Sequence, residues 1–174
     1  MALKNTSKMI ASKKIKENIT DMVKNTANTL RLVLGDQLNP LHSWFSAEDA
    51  AVEDNVVYVL MELRQETDYV LHHAQKILAI FAGMRDFAAL LKAAGHRVHY
   101  VQIDDVANLP TITDNLKALI AKYHATVLEY QAPDEWRLDV KLADFAKSLS
   151  KSSKISVQMV DTEHFFTTRD EVAV

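Results

Sequence analysis

Leu30-Arg31-Leu32-Val33-Leu34-Gly35-Asp36-Gln37 is a short, nearly unbroken apolar run stopped by a turn signal. Five such residues cannot make a helix of ordinary length, so the run predicts a strand buried on both faces and closed by Gly35. The same pattern recurs in Val56-Val57-Tyr58-Val59-Leu60-Met61, Val98 to Ile103, Thr126 to Tyr130 and Ile155 to Val160. Between these runs the apolar period changes from continuous to three or four. Tyr69, His73, Ile77, Phe81, Met84, Ala88 and Leu91 lie on one face of a predicted long helix that ends at Gly95, with Lys92 in its last turn. Leu116, Leu119, Ile120 and Tyr123 mark a second helix. Leu138, Leu142, Phe145 and Leu149 mark a third, with Asp134 as its expected N-cap. Apolar strands alternating with amphipathic helices predict βαβ units: an α/β fold with a doubly wound, five-stranded parallel sheet and helices on both faces.

Composition limits what such a domain does. The 174 residues are 48% hydrophobic and 25% charged, as in a soluble globular chain, and no apolar stretch approaches bilayer-spanning length. Cysteine is absent from the sequence, so disulfides, zinc–thiolate sites and thiol catalysis have no residues here. A cytoplasmic location is expected. Residues 1–29 form a lysine-rich extension, flexible or a short amphipathic helix, whose six lysines face only Glu17 and Asp21. That leaves a net −7 on residues 30–174, which argues against free-standing nucleic-acid binding.

Ligands of doubly wound sheets bind beyond the carboxyl ends of the strands, where the winding reverses. Gly35, Asp36 and Gln37 follow the first strand there, and Glu62, Arg64, Gln65, Glu66 and Asp68 follow the second. The fourth strand brings Tyr130 and the Glu135-Trp136-Arg137 run to the same edge. No Walker-type or dinucleotide-type glycine loop is present, nor a Gly-x-Ser-x-Gly elbow or a metal-spaced His/Glu set. His72 and His73 are adjacent, so on a helix they point about 100° apart and do not share a metal. An aromatic ring held by carboxylates and amides therefore suits the crevice better than a nucleotide.

Several of these motifs, taken in order, resemble one family. Leu32-Val33-Leu34-Gly35-Asp36-Gln37-Leu38, Met61-Glu62, and Glu66-Thr67-Asp68-Tyr69-Val70-Leu71-His72-His73 with Lys76 are similar to the N-terminal domain of deoxyribodipyrimidine photolyase-related proteins. These are the iron–sulfur bacterial cryptochromes and prokaryotic (6-4) photolyases. Phe81 to Ala88, Gly95-His96-Arg97-Val98, Glu135-Trp136-Arg137 and Phe166-Thr167-Thr168 continue the resemblance from about Leu30 to the end. It implies that residues 30–174 are a photolyase-type α/β antenna domain, cut before a helical domain that carries FAD, a [4Fe–4S] cluster and the lesion pocket. It also implies an antenna chromophore, 6,7-dimethyl-8-ribityllumazine, contacted by Gly35, Asp36, Gln37, Glu62, Glu66 and Tyr69, with Leu34 and Leu63 excluding water. Light energy would pass from it to FAD for DNA repair or signalling. Catalytic and metal-binding residues are expected to be absent from this chain. The implied partners are the chromophore, damaged DNA through the other domain alone, no membrane, and self-association through an exposed interdomain face. Two other functions compete: a stand-alone module binding a small ligand or partner, and a small hydrolase or transferase using Asp36, Glu62 and Glu66 as acid–base groups.

Overall fold

The computed structural model describes residues 26–46, 55–68, 72–152, 154–167 and 171. Five strands form one sheet: β1 (Thr29–Leu32), β2 (Val56–Met61), β3 (Val98–Val101), β4 (Val127–Gln131) and β5 (Ser156–Val160). Their order is β3-β2-β1-β4-β5 and every pairing is parallel. Four helices accompany them: α1 (Arg64–Asp68), α2 (Ala74–Ala93), α3 (Ile112–Tyr123) and α4 (Trp136–Ser152). The expected fold class is the observed one. All six residues of β2 are buried, as an apolar run between two covered faces requires. Among the described residues, no helix is long and apolar enough to cross a membrane.

The period-two alternation of the strands sorts the core into two layers. Leu30, Leu32, Val57, Val59, Leu128 and Tyr130 point to the face covered by α3 and α4. There they meet Leu116, Leu119, Leu142 and Phe145, the residues whose spacing predicted those helices. Tyr130 is thus a core residue and not part of the crevice edge. Tyr58 and Leu60 point the other way, towards Met84, Phe87, Ala88 and Leu91 of α2. A loop carrying a 3-10 turn at Ser43–Phe45 closes the remainder of that face with Trp44. Arg31, projecting from central β1 under this loop, is neutralised by Glu129 (2.8 Å) and lies 5.2 Å from the centre of the Trp44 ring. The fold already includes the residues before β1: Ala27 is buried and donates to the Tyr123 carbonyl. The lysines of the extension lie outside the described residues.

The helix ends show where the sequence pattern was and was not sufficient. Gly95, at φ 96°, closes α2: its N–H bonds the Lys92 carbonyl and the His96 N–H bonds Leu91, a Schellman pair. At the other end α2 begins at Ala74, later than its apolar stripe suggested, because His73 leaves the helix and accepts from the Gln75 N–H. Asp134 is not the cap of α4. The Glu135 carbonyl accepts the first helical N–H, from Asp139, while the Asp134 carboxylate pairs with His164 at 3.1 Å. Helix α3 ends in the same kind of motif as α2, but with exposed His124 in the left-handed region at φ 54°. A side chain there costs about 1 kcal/mol that glycine avoids. His124→Gly is therefore expected to raise stability by up to about 1 kcal/mol, read from the denaturant midpoint at unchanged slope.

Candidate functional site: a crevice at the carboxyl edge

β1 is flanked by β2 and β4; the chain on the β2 side crosses one face through α2 and the chain reaching β4 crosses the other through α3, so the sheet's switch point lies at the carboxyl end of β1. A crevice of about 340 Å³ opens there. Its floor is Val33, Leu34, Met61 and Leu63, continuing the apolar ends of β1 and β2. One wall is the upper half of α2, with Ile77, Ile80, Phe81 and Met84. This accounts for the length of the α2 stripe: its lower part covers the sheet, while its upper part overhangs the edge and walls the crevice. Ile112 and Leu138 supply the opposite wall. Gly35 makes the close approach possible, because a β-carbon there would stand 2.9 Å from Ile80 Cγ2 and 3.2 Å from Met84 Sδ.

Polar groups gather on the rim. Asp36, Glu66, Glu135, Lys76 and His72 all line the crevice. Desolvation raises the Asp36 carboxyl above the usual range; the negative charges of Asp134 and Glu135 add to this, while its backbone hydrogen bond and His164 oppose it. Glu66 is tied down by Arg137, whose Nη2 donates to its Oε2 at 3.1 Å and whose Nε donates to Glu135 at 2.8 Å. Lys141 donates to Gln65 at 2.6 Å. These contacts strap α1, which buries none of its own residues, to α4 across the crevice mouth. Trp136, between Glu135 and Arg137, is exposed and does not line the opening.

Of the expected contacts, Leu34, Gly35, Asp36, Leu63 and Glu66 meet in this crevice. Tyr69 lies outside the described residues. Gln37 and Glu62 turn away from it, and each is used structurally. The buried Gln37 amide accepts from the Leu34 N–H at 3.1 Å and donates to the carbonyls of Gln131 and Ala132, bracing the first loop against β4. Glu62 is fully buried on the α2 face. It accepts from Arg85 Nε and Nη2 at 2.6 and 2.9 Å, from the Tyr100 hydroxyl at 2.7 Å and from the Ile103 N–H at 3.0 Å. Desolvation pushes its carboxyl up, but Arg85, Tyr100 and the Ile103 amide together outweigh that and hold it below the usual range. With both oxygens so occupied, neither ligand contact nor acid–base work is open to it. His72 reaches the rim, His73 caps α2, and no cluster of metal-ligating side chains occurs among the described residues.

A doubly wound parallel sheet with a mostly apolar crevice at its switch point and no phosphate loop defines an α/β domain of the photolyase N-terminal kind. Residues 31–174 match the family model described as deoxyribodipyrimidine photo-lyase-related protein, and the chain belongs to that family. Over 117 residues it is 38% identical to a (6-4) photolyase of Agrobacterium fabrum, covering 67% of this chain and 22% of that protein. The chain therefore spans about a fifth of that relative's length. Among solved structures, a bacterial class III photolyase from Agrobacterium tumefaciens aligns with 78% of this chain and 26% of its own, at 18% identity and TM-score 0.45. A universal stress protein family member from Burkholderia pseudomallei aligns with 76% of this chain and 96% of its own, at 15% identity and TM-score 0.36.

Proposed function

We propose that this chain is the antenna domain of a photolyase- or cryptochrome-like flavoprotein of the cytoplasm. Its crevice binds a lumazine-type chromophore, 6,7-dimethyl-8-ribityllumazine. The observation that carries this is the crevice itself, whose size lies at the small end of ligand pockets. Its apolar walls suit a bicyclic ring, and its rim carboxylates suit the N–H and hydroxyl donors of such a ligand. Gly35 packs directly against Ile80 and Met84, so the first loop and α2 meet at one side of the crevice and set its wall. When bound, the chromophore would supply near-UV and blue-light absorption and pass that energy to FAD in the rest of a longer protein. The domain's own residues would orient the ring and exclude water, with no covalent step. FAD, a [4Fe–4S] cluster and damaged DNA would belong to that other part, since this sequence has no cysteine to hold a cluster.

Titration of the purified chain with lumazine tests the assignment. Saturable fluorescence quenching is expected, weakened about tenfold in Glu66→Ala, a loss typical of one charged hydrogen bond. Quenching equal in Glu66→Ala and the parent chain would remove the rim from the site, and no quenching at all would remove the antenna role.

A further inference from the structure

We infer that a water molecule is held inside the protein by the buried side-chain amide of Gln131, apart from the crevice. Gln131 ends β4 and has no exposed surface. Neither its amide nitrogen nor its amide oxygen has a hydrogen-bond partner among the described residues. The other buried amides differ. Asn115 donates to the Leu109 and Thr111 carbonyls and accepts from the Leu109 N–H, and Gln37 uses both of its amide atoms. A buried amide left with neither donor nor acceptor satisfied is among the costliest defects a core can carry. An amide that needs one acceptor and one donor together is satisfied by a single water.

Gln131 lies between Val33 and Val160 on its face of the sheet, with polar residues close by in sequence and space. Alternation along β4 puts Gln131 on the same face as Glu129, under the loop that carries Trp44. Gln37 covers it from above, donating to the Gln131 carbonyl at 3.3 Å. On the far side Gln131 pairs with Val160 of β5. The next residue, Asp161, accepts from buried His42 at 2.9 Å through its carbonyl. Thr162, also buried, follows it. Four of the six buried polar residues among the described residues, Gln37, His42, Gln131 and Thr162, thus collect at one end of the sheet. The crevice ligand is not the missing partner. Gln131 does not line the crevice, and Val33, beside it by continuation of the β1–β4 register, forms the partition.

The test is made on the full chain labelled with 15N. The side-chain amide protons of Gln131, assigned by their loss in Gln131→Glu, are expected to show nuclear Overhauser cross-peaks to a long-lived water. These should persist when lumazine saturates the crevice. Gln131→Leu, which would fill an unhydrated hole with matching apolar volume, is expected to leave the melting temperature unchanged or lower it. Absence of the water cross-peak, its loss on adding lumazine, or a clearly raised melting temperature in Gln131→Leu would each overturn the inference.

Discussion

Glu62→Ala is expected to destabilise the fold by about 3 kcal/mol, lowering the melting temperature by about 10 °C. The carboxylate is fully buried and is the common acceptor for Arg85, the Tyr100 hydroxyl and the Ile103 amide. Removing it strands donors from α2, β3 and the segment after β3 at once. Arg85 is half exposed and regains water, which places the loss at the lower end of what breaking a buried pair costs. Glu62→Gln keeps the shape but opposes its NH2 to two donors, so about half that loss is expected. The pH dependence follows from the lowered Glu62 carboxyl. Its contribution is complete above the ordinary glutamate range and is lost as pH falls through the folded-state value, because the unfolded chain then binds the proton more readily. The stability gap between the parent chain and Glu62→Gln should therefore shrink on acidification. Calorimetric melts of both proteins across acid to neutral pH check this. Lumazine affinity should change less than about threefold in Glu62→Gln, since Glu62 holds the floor in place without touching the crevice.

The misplacement of Glu62 shows what the sequence concealed. Position alone put it at the carboxyl end of β2, which is where ligands bind. Side-chain direction is a separate matter, and the sequence carries it in the alternation. Tyr58 and Leu60 face α2, so Glu62 does too, while Met61 and Leu63 face the opposite layer and the crevice. Gln37 was less accessible to such reasoning. It lies in a turn, where period two no longer holds, and its partners at the end of β4 and just past it are 94 and 95 residues distant. The five strands were legible because each is a compact apolar run, and α3 and α4 because their stripes are entirely buried. The stripe of α2 was legible as a helix but misleading as core, since hydrophobic spacing does not separate a sheet-covering face from a ligand-facing one. Trp44 and the loop that closes the second face left no periodic signal; a lone tryptophan after His42 shows its role only when Tyr58 donates to its carbonyl at 2.7 Å.

Gly35 offers the largest expected effect on binding. Its backbone is not in the left-handed region, so a substitution there acts through space and not through strain. In Gly35→Ala the new methyl meets Ile80 at 2.9 Å and Met84 at 3.2 Å. Met84 adapts through its rotatable bonds, but Ile80 is stiff at χ1, so α2 must give way and the crevice wall it forms with the first loop is displaced. A stability loss of about 1 kcal/mol and an affinity loss of about tenfold are expected. Gly35→Val presses two more carbons against that wall and should lower lumazine affinity by about a hundredfold or more. The other two glycines separate this effect from general destabilisation. Gly95→Ala must hold φ near 96°, and should cost about 1 kcal/mol with affinity unchanged. Gly83→Ala meets only Leu38, at 3.4 Å, and in mid-helix should stabilise by about 0.5 kcal/mol. Fluorescence titration and thermal melts on the four variants therefore give a crossed pattern. Affinity must follow the space beside Ile80, and stability must follow backbone and packing separately. If Gly35→Val is folded and still quenches lumazine at the parental concentration, the ring lies somewhere other than between the first loop and α2.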